Sequence, residues 1–213
     1  DFRVESNGNT HMLFVDGGNN HVNVGVNTDY GGTLNVATTD TSVNLVLASE
    51  DAGAGNAPIL DFHRNSASPA DGDGTGHIRF RAENNTDEAI TYAEILTVSA
   101  DVTNASEDSI MYIQGMQAGT VREKISMHPT ETVLNDNGVD LDFRVESDTL
   151  THALFVDAGA NHVNVGTATD LGGVLNVGGN LSLSGAGTGS RSILLGGETD
   201  SYAGVLRMQA GGI

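Results

Sequence analysis

The chain has 213 residues, with 28 acidic and 9 basic side chains and a formal net charge of −19. Such a chain repels phosphate backbones and anionic surfaces, so we expect neither nucleic-acid binding nor membrane insertion. It contains no cysteine, which excludes disulfides and thiol chemistry. An acidic surface with a single lysine, Lys124, favours an extracellular, salty setting.

The first 36 residues of the chain recur further along it without a gap. DFRVESNGNTHMLFVDGGNNHVNVGVNTDYGGTLNV (1–36) and DFRVESDTLTHALFVDAGANHVNVGTATDLGGVLNV (142–177) are identical at 26 of 36 positions. Most differences fall where the chain is expected to turn. VDLDFRVES (139–147) indicates that residues preceding the first copy are missing from it. We therefore expect a segment of a longer protein in which a short repeat alternates with a larger insert.

Each copy of the repeat contains stretches that alternate apolar and polar residues with period two, which predicts β-strands. In the first copy these are DFRVES (1–6), HMLFVDG (11–17) and HVNVG (21–25), followed by a short strand at residues 34–36. The DGGNN sequence between two of them is typical of a hairpin turn. The alternation places Asn23, and its counterpart Asn164, on the outer face.

So small a unit cannot bury its own apolar side chains, because an isolated hairpin is marginally stable in water. We expect several identical chains to share one apolar axis. The predicted shared core consists of Phe2, Leu13 or Phe14, Val15, Val22 and Val24, with Phe143, Leu154 or Phe155, Val156, Val163 and Val165 from the second copy.

The stretch between the two copies is predicted to be a β-rich domain with a sandwich-like core. Turn-forming sequences such as NSASPADGDGTG (65–76) separate its apolar runs, and HIRFRAE (77–83) alternates with Ile78 and Phe80 on one face. No window of 12 or more residues has good helical periodicity. The predicted strands cover residues 43–48, 59–64, 77–83, 91–102, 109–116, 121–128, 132–134 and 139–146.

Five stretches resemble segments of bacteriophage tail-fibre and virion-fibre proteins, especially those of aquatic phages. They are IRFRAEN (78–84), TYAEI (91–95), DFRVES, ALFVDAGANHVNVGT (153–167) and GGVLNVGG (172–179). The resemblance implies an elongated parallel homotrimer on the virion, joined to other fibre or tail proteins. It also implies a structural role, in which a shaft spans distance and a distal part meets a glycan or protein of the host surface.

In these terms the fold is all-β, with short β-hairpin shaft repeats alternating with a β-sandwich-like knob. The predicted parts are a shaft repeat (1–40), a knob (41–138), a second shaft repeat (139–178) and the start of another knob-like module (179–213). The last part rests on a loose match between SRSILLGGETDSYAGVLRMQAGG (190–212) and SVNLVLASEDAGAGNAPILDFHR (42–64).

The sequence offers few candidates for chemistry, and we expect neither an enzyme nor a cofactor. Asp71 and Asp73 alternate like the start of a calcium loop, but Ala82 stands where the closing glutamate belongs, so a plain turn is favoured. Glycan cleavage would need a carboxylate pair, and abundance is not pairing. The carboxylates considered for such a pair are Asp61, Glu83, Glu94, Asp101 and Glu123.

Two pairs of histidines recur in both copies of the repeat. His11 and His152 form one pair, and His21 and His162 form the other. On a threefold axis, one histidine from each chain could ring a metal ion or an anion. The favoured interpretation is that these histidines lie on the outer face and bond to backbone or water.

Two further functions remain open from the sequence. A bacterial adhesin or extracellular filament subunit would share the repeats, the acidity and the absence of cysteine. A glycan-binding or depolymerising tailspike would need clustered aromatics, yet the chain has no tryptophan, four tyrosines and six phenylalanines. A trimer would carry three times −19, or −57, formal charges, so we expect assembly to tighten when added NaCl screens the repulsion.

Overall fold

The computed structural model describes residues 1–55 and 57–181, which form thirteen β-strands and no helix. The all-β prediction is therefore confirmed. In this described part of the chain, no helix has the length and hydropathy of a membrane span. The chain divides into two units, Asp1–Asn65 and a second that begins at Ser66. The module predicted at residues 179–213 lies outside the described residues, except for its first three.

The first unit contains a four-stranded sheet, named here repeat sheet 1. Its strands are β1 (Phe2–Val4), β2 (Leu13–Asp16), β3 (His21–Val24) and β4 (Leu34–Val36), arranged in chain order. The first three strands pair antiparallel, whereas β3 and β4 run parallel. The chain must therefore return to the start of β3 before β4 begins, which the loop between these strands accomplishes.

The turn between β2 and β3 follows from its residues. Asp16 accepts backbone hydrogen bonds from Gly18 and Asn19 through Oδ1, at 2.9 and 3.1 Å. Asn20 adopts a φ of 60°, a left-handed conformation that asparagine tolerates better than most residues. The hairpin predicted from DGGNN is present.

The second unit begins with a five-stranded antiparallel sheet, named here the meander sheet because each strand pairs with the next along the chain. Its strands agree closely with five of the predicted ones. They are β5 (Gly74–Glu83), β6 (Ala89–Asp101), β7 (Asp108–Gln117), β8 (Thr120–Met127) and β9 (Thr132–Leu134).

The sandwich predicted for residues 41–138 is wrong for a single chain, because the described residues there form one sheet and no second layer. Strands predicted at 43–48 and 59–64 are also absent. These segments have β-type sequences, but within the described residues no strand lies beside them to complete a ladder. Val43 and Ile59 consequently stay 77% and 81% exposed.

A second four-stranded sheet, named repeat sheet 2, follows in the second unit. It contains β10 (Phe143–Val145), β11 (Leu154–Asp157), β12 (His162–Val165) and β13 (Leu175–Val177). Its strand order, its directions and its register are those of repeat sheet 1, displaced by 141 positions. The strand predicted at 139–146 is shorter in the structure, since it begins at Phe143.

The expectation that Asn23 and Asn164 lie on an open outer face is wrong. Asn23 is fully buried, and Asn164 nearly so. The loop between β3 and β4 returns over this face, where Gly32 and Asp29 contact the side chain of Asn35. Because Asn35 also bonds to Asn23, the loop covers the part of the polar face that these two asparagines occupy.

Candidate functional site

Repeat sheet 1 carries all its aliphatic strand residues on one face. Directly opposed residues in neighbouring strands point to the same side of a sheet, and successive residues of a strand alternate. The pairing therefore aligns two rows of four side chains across the sheet. These rows are Phe2, Val15, Val22 and Leu34, and Val4, Leu13, Val24 and Val36.

Repeat sheet 2 presents an equivalent apolar face, on which Phe143 is 36% exposed, against 59% for Phe2. The difference arises next to Phe143, where Lys124, Leu134 and Val156 help to line a cavity of about 360 Å³. The two rows across this face are Phe143, Val156, Val163 and Leu175, and Val145, Leu154, Val165 and Val177.

The residues predicted for the shared core are thus brought together within each sheet. The register also decides between Leu13 and Phe14: Leu13 lies on the apolar face, as does Leu154, while Phe14 and Phe155 point to the other side. The prediction omitted Val4, Leu34 and Val36. The alternation already assigned Val4 to the face of Phe2, but nothing in the sequence revealed that β4 pairs in parallel with β3.

None of the hydrophobic residues that the structure describes is buried. Burial of apolar surface is the dominant favourable contribution to folding, and it must offset the large loss of conformational entropy. A chain of this length would ordinarily bury a core of its own. The apolar faces are therefore the sites at which this chain can gain stability by association.

The opposite face of each repeat sheet is held by a ladder of asparagine side chains. Asn35 donates from Nδ2 to Oδ1 of Asn23 at 2.7 Å, and Asn176 donates to Asn164 at the same distance. The Oδ1 atom of Asn35 accepts from the backbone N–H of Gly32 at 3.1 Å. The amides thus tie the loop to both parallel strands. The repeated HVN and LN sequences do not distinguish this ladder from exposed asparagines, and the sequence reasoning missed it.

The recurring histidines contact groups of their own chain. His11 packs edge-on against Phe14 with ring centroids 5.5 Å apart, and His152 packs in the same way against Phe155 at 4.9 Å. Thr10 lies within hydrogen-bonding distance of His11, with 2.9 Å between Oγ1 and Nδ1. These contacts are to side chains of the same chain and not to backbone or water, and the ring of histidines around an ion stays a prediction.

The second pair of histidines faces a carboxylate in each copy. His21 Nδ1 lies 2.9 Å from Asp29 Oδ2, whereas His162 Nδ1 lies 3.1 Å from Asp170 Oδ1 without forming a hydrogen bond to it. The backbone N–H of Gly31 is the main cause that lowers the pKa of Asp29, and His21 lowers it further. Asp29 therefore stays ionised and anchors the loop before β4.

Asp71 and Asp73 stabilise a turn next to the meander sheet. Asp71 accepts from the backbone N–H of Val102 at 3.0 Å, and Asp73 accepts from that of Ala70 at 3.0 Å. In the described part of the chain, no group of three or more histidines and carboxylates is arranged to hold a metal ion. The turn interpretation accounts for both side chains.

Several carboxylates considered for catalysis have structural partners. Glu94 lies 2.8 Å from Nε2 of His77 through Oε2. Asp101 accepts the backbone N–H of Thr103 at 2.7 Å, and this bond is the main cause of its lowered pKa. Depressed pKa values of this kind suit turn formation, whereas a general acid needs a raised one. The expectation that the protein is not an enzyme stays a prediction.

Comparison with known proteins leaves the chain unassigned. No protein-family model matches it. No curated protein matches it significantly.

Proposed function

We propose that this chain is a structural segment of an elongated homotrimeric β-fibre on a phage virion. In this proposal the repeat sheets form the shaft and the meander sheet belongs to the knob. The fibre spans distance and presents a more distal part, which meets a glycan or protein of the host surface. The single observation that carries the proposal is the absence of any buried hydrophobic residue among the described ones.

The apolar faces support association over an independent monomer. Each repeat sheet exposes eight apolar side chains in two straight rows, with no charged residue among them. Contact with another apolar surface removes these side chains from water and stabilises the assembly by roughly 25 cal/mol per Å² of buried apolar surface. Strands of three or four residues cannot offset their ordering cost without such cover.

Identical chains are the partners that fit these faces best. The same face occurs twice in one chain, 141 residues apart, with the same register. A partner that runs alongside must therefore match two equal surfaces at the same spacing, and a parallel copy of this chain does so automatically. The strand carboxylate of Asp16 alternates with Val15 and opposes His21, so it points away from these rows.

The oligomeric state of the 213-residue chain tests this proposal. We expect mass photometry and sedimentation at micromolar concentration to give about 66 kDa, three times the chain mass of 22.0 kDa. A folded monomer at this concentration, with the side chains of Val22 and Val163 covered by their own chain, would overturn the proposal. A stable dimer would retain association but exclude the threefold fibre.

The location on a virion needs a separate test. Antibodies raised against this chain should label fibres on purified virions in electron micrographs. Labelling of filaments on bacterial cells, together with a secretion signal in the flanking sequence, would instead identify an adhesin or extracellular filament.

A further inference from the structure

The meander sheet has one face dominated by large apolar side chains. Five aliphatic residues oppose one another across all five strands in a single row: Ile78, Ile95, Ile113, Ile125 and Leu134. Next to this row, Met111 opposes Met127, and both are more than a third exposed. Because directly opposed residues share a face, these side chains form one apolar surface.

The opposite face of the meander sheet carries several ionic and aromatic polar groups, although Arg122 lies on the apolar face, opposite Gly115. Glu94 lies close to both His77 and Arg79 there. On the same face the ring of Tyr112 packs edge-on against that of His128, with centroids 6.5 Å apart. Partial burial raises the pKa of Tyr112, and the nearby carboxylate of Glu123 contributes to this shift. Leu96, Val98, Ile110 and Val133 also lie on this face, so it is mixed, whereas the row from Ile78 to Leu134 is wholly aliphatic.

The apolar face of the meander sheet adjoins that of repeat sheet 2. Leu134, at the end of the aliphatic row, lines the same cavity of about 360 Å³ as Phe143 and Val156. Lys124 also lines it, and the Lys124 ammonium group donates to Gln117 Oε1 at 2.9 Å. A partner that covers the apolar face of repeat sheet 2 thus reaches the edge of the meander sheet across this cavity, which Asn135 and Asp142 also line.

We propose that the apolar face of the meander sheet is a second interface between copies of this chain. The layer that a sandwich would supply from the same chain comes here from the meander sheets of neighbouring copies. This inference rests on the proposed homotrimer, since copies gathered by the repeat sheets bring their meander sheets together. A row of uncharged aliphatic residues is self-complementary and needs no partner of opposite charge.

Cysteine cross-linking can test this interface cleanly, because the chain contains no cysteine. Ile113→Cys and Gln114→Cys place a thiol at neighbouring positions on opposite faces of β7. Val145→Cys and Arg144→Cys do the same for β10 in repeat sheet 2. Each full-length variant is treated with a short bis-maleimide at low micromolar concentration, and covalent dimer is quantified by denaturing electrophoresis.

We expect Ile113→Cys to cross-link at least about tenfold faster than Gln114→Cys, because facing thiols in an assembly have a high effective concentration. Val145→Cys should likewise exceed Arg144→Cys. Cross-linking of Val145→Cys but not of Ile113→Cys would overturn the second interface and leave the homotrimer standing. Failure at both positions in a monomeric chain would overturn both proposals.

A second position guards against a variant that fails to fold. Met111→Cys probes the same face at a more exposed position. Circular dichroism and mass photometry of each variant show whether it retains the β-structure and oligomeric state of the parent chain. If Met111→Cys assembles like the parent chain and still reacts no faster than Gln114→Cys, a different occupant covers the meander sheet and the inference is wrong.

Discussion

The strands of the repeat sheets and those of the meander sheet are held together in different ways. The meander sheet has strands of up to 13 residues, and its long backbone ladders define its topology. The repeat sheets have strands of three or four residues, and buried asparagine amides hold the loop and the parallel strands together. In both, polar side chains of the same chain bond to one another on one face, while no hydrophobic residue that the structure describes is buried. Hydrogen bonds within the chain can therefore define a sheet even when nothing in that chain buries its apolar face.

The largest expected effect comes from placing a charge on the apolar face of a repeat sheet. Val163→Asp would bury a carboxylate at the proposed shared axis, where no cation lies among the opposed side chains. We expect this change to destabilise the assembly by at least about 3 kcal/mol per chain and to convert it to monomer. Mass photometry at several protein concentrations measures the shift.

The matched control for Val163→Asp is Arg144→Gln, on the opposite face of the same sheet. Arg144 is half-exposed and forms an ion pair with Glu146 at 2.6 Å. Loss of an exposed pair costs roughly 0–1 kcal/mol, so the assembly should persist. Equal effects of the two changes would mean that the apolar face is not an interface.

The second largest expected effect shows how much the asparagine side chains stabilise the repeat sheets beyond the backbone hydrogen bonds. Asn176→Ala removes the donor to Asn164 Oδ1 and the acceptor for the backbone N–H of Gly173. We expect a loss of about 2–3 kcal/mol, because at least one buried polar group loses its partner. Thermal unfolding at fixed protein concentration measures this loss, which Asn35→Ala should reproduce in repeat sheet 1.

The control for the ladder is Asn85→Ala in the meander sheet. Asn85 is exposed in a turn, so its replacement should change stability by less than about 0.5 kcal/mol. An Asn176→Ala variant as stable as the Asn85→Ala variant would show that backbone pairing alone holds the repeat sheets.

The strands of both sheet types could be predicted because their signal is local. Alternation in HVNV and in IRF, bounded by Gly, Asn and Asp, identifies a strand wherever a neighbour exists to pair with it. The buried ladder of Asn23 and Asn35 could not be predicted, because it depends on a parallel pairing that a short loop creates. An asparagine on the polar side of a strand has the same sequence pattern whether a loop covers it or not.

The predicted sandwich failed for a related reason. Alternation indicates that one face of a strand is apolar, but it does not say whether the same chain or another one covers that face. Residues 43–48 illustrate this, since their sequence favours a strand while the described chain offers no partner strand. The apolar run is present in the sequence, but within the described residues no strand pairs with it.

A smaller effect concerns the turns of the two sheet types. Ala118 and Gly119 join β7 to β8 with φ angles of 48° and 78°, and alanine is poorly suited to positive φ. We expect Ala118→Asn to stabilise the protein by about 0.5–1 kcal/mol, because asparagine tolerates this conformation. Asn161 has a φ of 59° in repeat sheet 2, so Asn161→Ala should destabilise the protein. Urea unfolding compares both with the parent chain, and a stabilising Asn161→Ala would contradict this account.

The smallest expected effect is a pH dependence of stability that only the segment after repeat sheet 1 should show. After repeat sheet 1, Asp40 accepts hydrogen bonds from Ser42 and Thr38, which lower its pKa to about 2. Its counterpart after repeat sheet 2 is Leu181, which cannot titrate. A folded-state pKa below the unfolded value of 3.8 means that the stabilisation is complete above pH 3.8 and is lost as the pH falls through about 2. We expect carboxyl-carbon NMR to show Asp40 titrating near pH 2.

Asp40→Asn should unfold at a lower temperature than the parent chain at pH 5, and the difference should shrink at pH 2. Titration of Asp40 at its ordinary value would show that this turn does not form in the assembled protein.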